Sequence, residues 1–281
     1  MIGRAVGHGA ATIVSAVATG RGAAFGIDLP VTVTYRIEGE GLEVTTSRGL
    51  SPRLVECCLA LLRERRGIAG GARVTVESSI PPSRGLKSSS AVANTVLRAA
   101  ARAHGVPLPD REVLDLSVDA AIAAGVTITG AFDDAAACLL GGVAVTDNRS
   151  RTILRTAFLP ADLVAVVHIP RRETPKARVA RLDFSGIAGD VQAAVELALR
   201  GDYPAAMNAN GAAYARVLDV DPEVADRARR SGAVAASVSG TGPATVALGP
   251  RRRATEIARA LGDGEAEVRV VGLVPPLEVT A

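Results

Sequence analysis

From Arg73 to His104 the chain reads as one strand–loop–helix unit, and the loop limits what that unit can be. Arg73 to Ser78 alternates polar and apolar residues, the pattern of a half-exposed strand. Ile80-Pro81-Pro82-Ser83-Arg84-Gly85-Leu86-Lys87-Ser88-Ser89-Ser90-Ala91 follows, a Pro-Gly loop with three consecutive serines and one lysine. It runs directly into an apolar helix, Val92 to His104. Backbone N–H groups at such a helix start point outward unpaired, and the helix dipole favours an anion there. Gly85 lets the backbone pass close to a ligand. Three hydroxyls and an ammonium add donors and a candidate magnesium ligand. The segment therefore predicts a nucleotide-phosphate loop and, with it, a kinase. A serine-rich helix cap is the alternative, since Ser is a preferred N-cap. It is not a Walker A loop: Leu86 separates Gly85 from Lys87, and position 80 is Ile, not Gly.

Lysine usage favours the functional reading. The chain holds 32 Lys+Arg, yet only Lys87 and Lys176 are lysines. Where arginine has replaced lysine almost everywhere, a surviving lysine marks a place that needs a compact ammonium. Aromatics are 2% of residues, with no Trp, so the core must be built from Ala, Val, Leu and Ile. Base-stacking recognition of nucleic acid is poorly served by that composition. Net charge is +3, with arginines in short scattered clusters, which suits anionic small molecules. Cys57, Cys58 and Cys138 sit in apolar patterns without metal spacing and read as buried thiols of a reducing cytosol. No apolar run reaches membrane-spanning length. The Ala-rich N-terminus, broken by Gly7, His8 and Gly9, does not read as a signal peptide.

Along the chain, Val31 to Ile37 alternates strictly as a strand, with Leu42 to Thr46 as its hairpin partner. Ser51-Pro52 opens a helix to about Arg66 whose inner face carries the cysteines. After the phosphate loop and its helix, Asp110 is placed as the N-cap of a helix running to Ala124. A further helix ends at Gly141-Gly142, and Val143 to Thr146 is a strand. The polar run Asp147 to Arg151 suggests a boundary, giving domains 1–150 and 151–281. The second half reads as strand 163–169, helices near 190–200, 202–217 and 222–231, then strand, Ser237–Pro243 turn, strand, helix 253–261 and strand 266–274. Strand-turn-strand-helix-strand suits a ferredoxin-like unit.

Three separated elements resemble one superfamily, the GHMP kinases (galactokinase, homoserine kinase, mevalonate kinase and phosphomevalonate kinase). Their central motif, Pro-x-x-x-Gly-Leu-Gly/Lys-Ser-Ser-Ser/Ala-Ala, is similar to Pro81–Ala91. Their glycine turn resembles Val238-Ser239-Gly240-Thr241-Gly242-Pro243-Ala244. Their Gly-x-x-Asp segment, before a helix ending in Gly-Gly, resembles Gly130-Ala131-Phe132-Asp133-Asp134 with Gly141-Gly142. Within the superfamily the chain looks most like the archaeal-type shikimate kinase family. Gly9–Val14 with Gly20–Phe25, the Lys87 variant of the loop and Ala124–Ala135 carry this likeness. Ser15, where that family carries Asn, and the arginine-rich residues 170–176 depart from it.

The resemblance implies an α+β, two-domain fold: an N-terminal ATP-binding domain with a left-handed β-α-β unit and a C-terminal ferredoxin-like domain. It implies ATP and Mg²⁺ as cofactors, shikimate as the acceptor and shikimate 3-phosphate as the product, in a cytoplasmic enzyme without nucleic-acid or membrane partners; the alternatives are a related kinase of homoserine or mevalonate type, or a nucleotide-binding protein without turnover. Pro82, Ser83, Arg84, Gly85, Leu86, Lys87, Ser88, Ser89, Ser90 and Ala91 would hold the ATP phosphates, with Gly240 and Gly242 in the turn beside them. Lys87 would face the phosphates, Ser89 or a neighbouring serine would ligate magnesium, and Asp119 would be a second ligand. The base is Asp133 by the Gly-x-x-Asp spacing and Asp134 by the distance to Gly141. Arg21, Arg171, Arg172 and Lys176 are candidates for the acceptor carboxylate, and His8 for a place near the ligands.

Overall fold

The computed structural model describes residues 1–276 apart from Arg48, Ala69, Pro175 and the side chain of Lys176. Two long strands make its spine. β1 (Ile2–Val14) and β2 (Arg21–Ile37) pair antiparallel along their length, Ile2 against Arg36 and Val14 against Ala23. The other edge of β2 is shared, its end Val31–Ile37 taken by one strand and its start Arg21–Phe25 by another.

β3 (Leu42–Thr46), α1 (Pro52–Arg66) and β4 (Ala72–Ser78) form a parallel β-α-β unit. Ser51 caps α1, its hydroxyl accepting the Arg53 N–H at 3.3 Å, and Gly67 closes the helix with a left-handed φ of 64°. The sequence places β3 beside β2; the structure instead inserts β4 between them. Burial explains the order. Ala72, Val74 and Val76 of β4 are buried, whereas β3 is largely exposed, so the apolar strand takes the inner position.

α2 (Ser88–His104) begins four residues before Val92, so the serines form its first turn. It lies directly on β1: a Cβ on Gly3 would stand 2.0 Å from the Ala99 carbonyl oxygen. α3 (Asp110–Ala123) starts with Asp110 inside the helix, after Pro109, because the Asp110 carboxylate is turned to Arg98 instead of capping. α4 (Phe132–Leu140) ends at Gly141, and β5 (Val143–Asp147) returns to β2. β6 (Thr152–Ala157) hairpins on β5 across the polar 148–151 turn, and the chain leaves the first sheet after Ala157.

The second sheet holds β7 (Leu163–Ile169). α5 (Lys176–Val179), α6 (Ala188–Arg200), α7 (Tyr203–Tyr214) and α8 (Pro222–Arg230) lead to β8 (Ala235–Val238). β9 (Thr245–Pro250), α9 (Ala254–Leu261) and β10 (Glu267–Val271) complete it. The order β10-β7-β9-β8, all antiparallel, is the ferredoxin-like order that the sequence suggested. One continuous apolar cluster runs from Ala5 and Phe25 in the first lobe to Tyr214 and Val246 in the second. Its small side chains let backbones approach closely, as the near-absence of aromatics requires.

Candidate active site

The phosphate loop and the glycine turn press against each other. A Cβ on Gly85 would fall 2.0 Å from the Ser239 carbonyl oxygen, and one on Gly240 would fall 2.9 Å from Lys87 Nζ. Ser239 Oγ ties the contact, donating to the Gly85 carbonyl at 2.8 Å and accepting the Thr12 N–H at 3.2 Å. The Ala244 N–H donates to the Arg84 carbonyl at 3.2 Å. Glycine is required at 85 because the Ser239 backbone leaves no room for a side chain, and is favoured at 240 by a left-handed φ of 58°.

Lys87 precedes α2 with φ 64°, a conformation that costs a non-glycine residue free energy. Its Nζ is buried, 2.9 Å from Asp134 Oδ1, and donates to Thr12 Oγ1 at 2.6 Å. The same Thr12 oxygen accepts the Gly240 N–H at 2.7 Å, so one hydroxyl joins the lysine to the turn of the other lobe. α2 has no side-chain cap. The Ala91 N–H is the first to bond back along the helix, to the Lys87 carbonyl at 3.0 Å. Among the described residues, the N–H groups and hydroxyls of Ser88, Ser89 and Ser90 take no hydrogen-bond partner. An uncapped helix start beside an ammonium is electrostatically suited to an anion.

Asp133 and Asp134 occupy the second and third positions of α4, and both line the cleft. Asp134 is the more exposed and is paired with Lys87. Asp133 is 3% exposed. Burial first, and the Asp134 carboxylate second, push its carboxyl up to about 7, while Lys87 and the Asn148 amide oppose the rise. The cleft, about 290 Å³, runs from Ser15, Ala16 and Thr129 beside these acids, past the serines. It continues to an apolar arm of Leu50, Leu54, Val92, Val126 and Ile128.

The structure thus brings Pro82, Ser83, Gly85, Leu86, Lys87, Ser88, Ser89, Ser90, Asp133, Asp134 and Gly240 to one cleft. Ala91 and Gly242 are not among the residues that line it. Arg84 turns away: its guanidinium donates to the Pro170 carbonyl at 2.9 Å and pairs with Glu173. Asp119 is not brought to the cleft, because Arg65 and Arg151 hold its carboxylate at 3.1 and 2.7 Å. Arg21 pairs with Asp147 and Arg172 with Asp219, and Arg171 lines a separate groove. His8 lies beside Asp28, away from the cleft. The Lys176 side chain is outside the described residues. The sequence reading missed Thr12, Thr129 and Asn148. Thr12 and Thr129 lie inside stretches that carry the family likeness but have no role of their own there, and Asn148 sits in a run read as a boundary, without a motif signal.

The chain matches the family described as GHMP kinases N terminal domain over residues 53–142 and GHMP kinases C terminal over residues 194–265. It is 42% identical to the shikimate kinase of Halobacterium salinarum, covering 96% of each chain. It is 39% identical to that of Methanosarcina mazei, covering 96% of this chain and 92% of the other. Homoserine kinase from Cytophaga hutchinsonii superposes with a TM-score of 0.80 at 18% identity, over 98% of this chain and 95% of that one. Lactococcus lactis galactokinase superposes at 0.76 with 14% identity, over 98% and 94%. An uncapped serine helix start, a lysine–aspartate pair and a glycine turn meet between a β-α-β lobe and a ferredoxin-like lobe. With both domain models and these relatives matching, the chain belongs to the GHMP kinases.

Proposed function

We propose that the protein transfers the γ-phosphate of ATP to the 3-hydroxyl of shikimate, giving shikimate 3-phosphate and ADP. The observation that carries this reading is the pairing of the buried Lys87 with Asp134 at the uncapped start of α2, in a chain whose curated relatives over most of its length are named shikimate kinase. The solved homoserine, mevalonate and galactose kinases share the fold at 14–21% identity, a likeness that does not choose an acceptor.

In this reading the N–H groups and hydroxyls of Ser88 to Ser90 hold the phosphates, and Lys87 neutralises charge on the transferring group. The apolar arm of the cleft takes the nucleotide base. Asp134, the more exposed acid of the pair, accepts the proton of the acceptor hydroxyl, which binds near Ser15, Ala16 and Thr129. Magnesium fits the donor set as a phosphate-borne ion: among the described residues no three His, Cys, Asp or Glu side chains form a cage, and the Ser89 hydroxyl is free beside the phosphate site. When bound, it supplies charge neutralisation on the phosphates. No described helix is long and apolar enough to cross a membrane.

The test is ADP release from magnesium-ATP with shikimate, homoserine, mevalonate and galactose compared. Turnover should be confined to shikimate. Turnover on one of the other three, or on none, overturns the acceptor.

A further inference from the structure

Asn148 is 6% exposed and makes four side-chain hydrogen bonds, all on the wall that carries the acid pair. Its Nδ2 donates to Asp133 Oδ1 at 2.8 Å and to Thr129 Oγ1 at 3.4 Å. Its Oδ1 accepts the Asp133 N–H at 3.1 Å and the Thr146 hydroxyl at 2.7 Å. The amide can face only one way. A backbone N–H cannot accept, so the oxygen must meet it, and the amino group must then meet the carboxylate. Asn148 therefore grips one residue twice, by its backbone and by its side chain.

The grip has a structural reason. α4 starts at a left-handed Ala131, φ 52°, with no side-chain cap. Asn148 comes from another segment and satisfies a first-turn N–H that nothing local covers. Its own N–H donates to the Gly20 carbonyl at 2.8 Å, so the clasp is anchored on the turn between β1 and β2. The rest of the site leaves little slack: a Cβ on Gly22 would stand 2.4 Å from Asp133 Oδ2.

We propose that Asn148 is a positioning residue for phosphoryl transfer: its amide clasps Asp133 from outside the helix and thereby holds the first turn of α4, with Asp134, against Lys87. This rests on the kinase reading given above. The charged and titratable groups facing Asp133 are Asp134 and the Cys138 thiol on its own helix, Lys87 from the phosphate loop and Tyr214 from α7.

Asn148→Asp keeps the acceptor for the Asp133 N–H and turns the donor into a carboxylate facing Asp133. It should lower kcat by at least about tenfold and leave KM for ATP within about twofold, since a misplaced reacting group costs rate more than binding. The exchanged pair Asp133→Asn with Asn148→Asp restores both hydrogen bonds at unchanged net charge, and should recover about tenfold in kcat over Asn148→Asp alone. Independently of any acceptor, the carboxyl ¹³C resonance of Asp133, assigned by its loss in Asp133→Asn, should titrate at least about one pH unit higher in Asn148→Asp. If Asn148→Asp fails to fold, Asn148→Ala is read by the same resonance, with an upward shift again expected. A kcat within about threefold of wild type, an exchanged pair without recovery, or an unmoved resonance overturns the proposal. Since the resonance needs no acceptor, a wild type inactive on shikimate refutes the acceptor and leaves this test standing.

Discussion

Lys87 holds a conformation that a glycine would adopt freely, and the ammonium it delivers lies between Asp134 and Thr12. Two substitutions separate backbone from charge. Lys87→Gly and Lys87→Ala remove the same ammonium, and each should lower kcat by about 100-fold. Only the alanine keeps the cost of the left-handed backbone. In urea unfolding it should be about 1 kcal/mol less stable than the glycine variant. Equal stabilities would show that φ here is not strained. Asp133 makes the opposite kind of contribution. Its carboxyl holds a proton up to about pH 7 in the fold, against 3.8 in its ordinary state. Between those values the native state binds more protons than the unfolded chain, so stability falls as pH rises through that window, and the whole penalty stands above pH 7. Asp133→Asn should therefore unfold about 2 kcal/mol harder than wild type at pH 8, with the gain gone by pH 4, because an amide has no charge to bury. A gain equal at both pH values would assign it to packing instead. Of these residues the sequence marked Lys87 by its rarity and the acid pair by its setting. It left Asp133 and Asp134 equivalent, because their difference is burial and partners, which no spacing encodes.

At the level of elements, α2 carries the site and β1 sets its height. Gly3 touches the backbone of α2 at Ala99 and Ala103, and Gly7 faces the Thr95 hydroxyl. Gly3→Ala would drive the helix off the strand or bend it. It should cost about 2–3 kcal/mol in thermal unfolding, by the overpacking of a closed interface. The proposed phosphate site sits at the far end of the same helix, so KM for ATP should also rise, by about threefold or more. An unchanged Tm would mean that the sheet gives way instead. The helix itself was legible from Val92 onward because its apolar residues repeat with helical period. Its first turn was not, since three serines read equally as loop or cap. β3 was read as the neighbour of β2 because alternation reports that a strand exists and not which strand it pairs with. That choice belongs to the more apolar Ala72–Ser78, which competes for the same edge.

For the whole molecule, the two lobes share one apolar cluster and a buried polar seam. Asn210 of α7 accepts the Ser15 N–H at 2.9 Å and donates to Ser237 Oγ at 3.1 Å. The Tyr214 hydroxyl donates to the Ser15 carbonyl at 3.0 Å and accepts the Ala18 N–H at 3.1 Å. The second lobe thus holds the β1–β2 turn that walls the cleft beside the acids. In sequence this seam is invisible: Asn210 and Tyr214 lie about 200 residues from the turn, on a helix with no motif. A continuous core predicts that the lobes unfold together. Asn210→Ala leaves the Ser15 N–H without a partner and removes the donor to the Ser237 hydroxyl, and should cost about 2–3 kcal/mol. Tyr214→Phe keeps the packing and removes only the hydroxyl, so about 1 kcal/mol of stability should go, in one transition by calorimetry and by circular dichroism. Because the freed turn borders the proposed acceptor end of the cleft, the same variant should raise KM for the acceptor about fivefold while KM for ATP stays within about twofold. Two resolved transitions would show lobes that fold apart, and equal rises in both KM values would show that the seam supports the phosphate loop and not the acceptor wall.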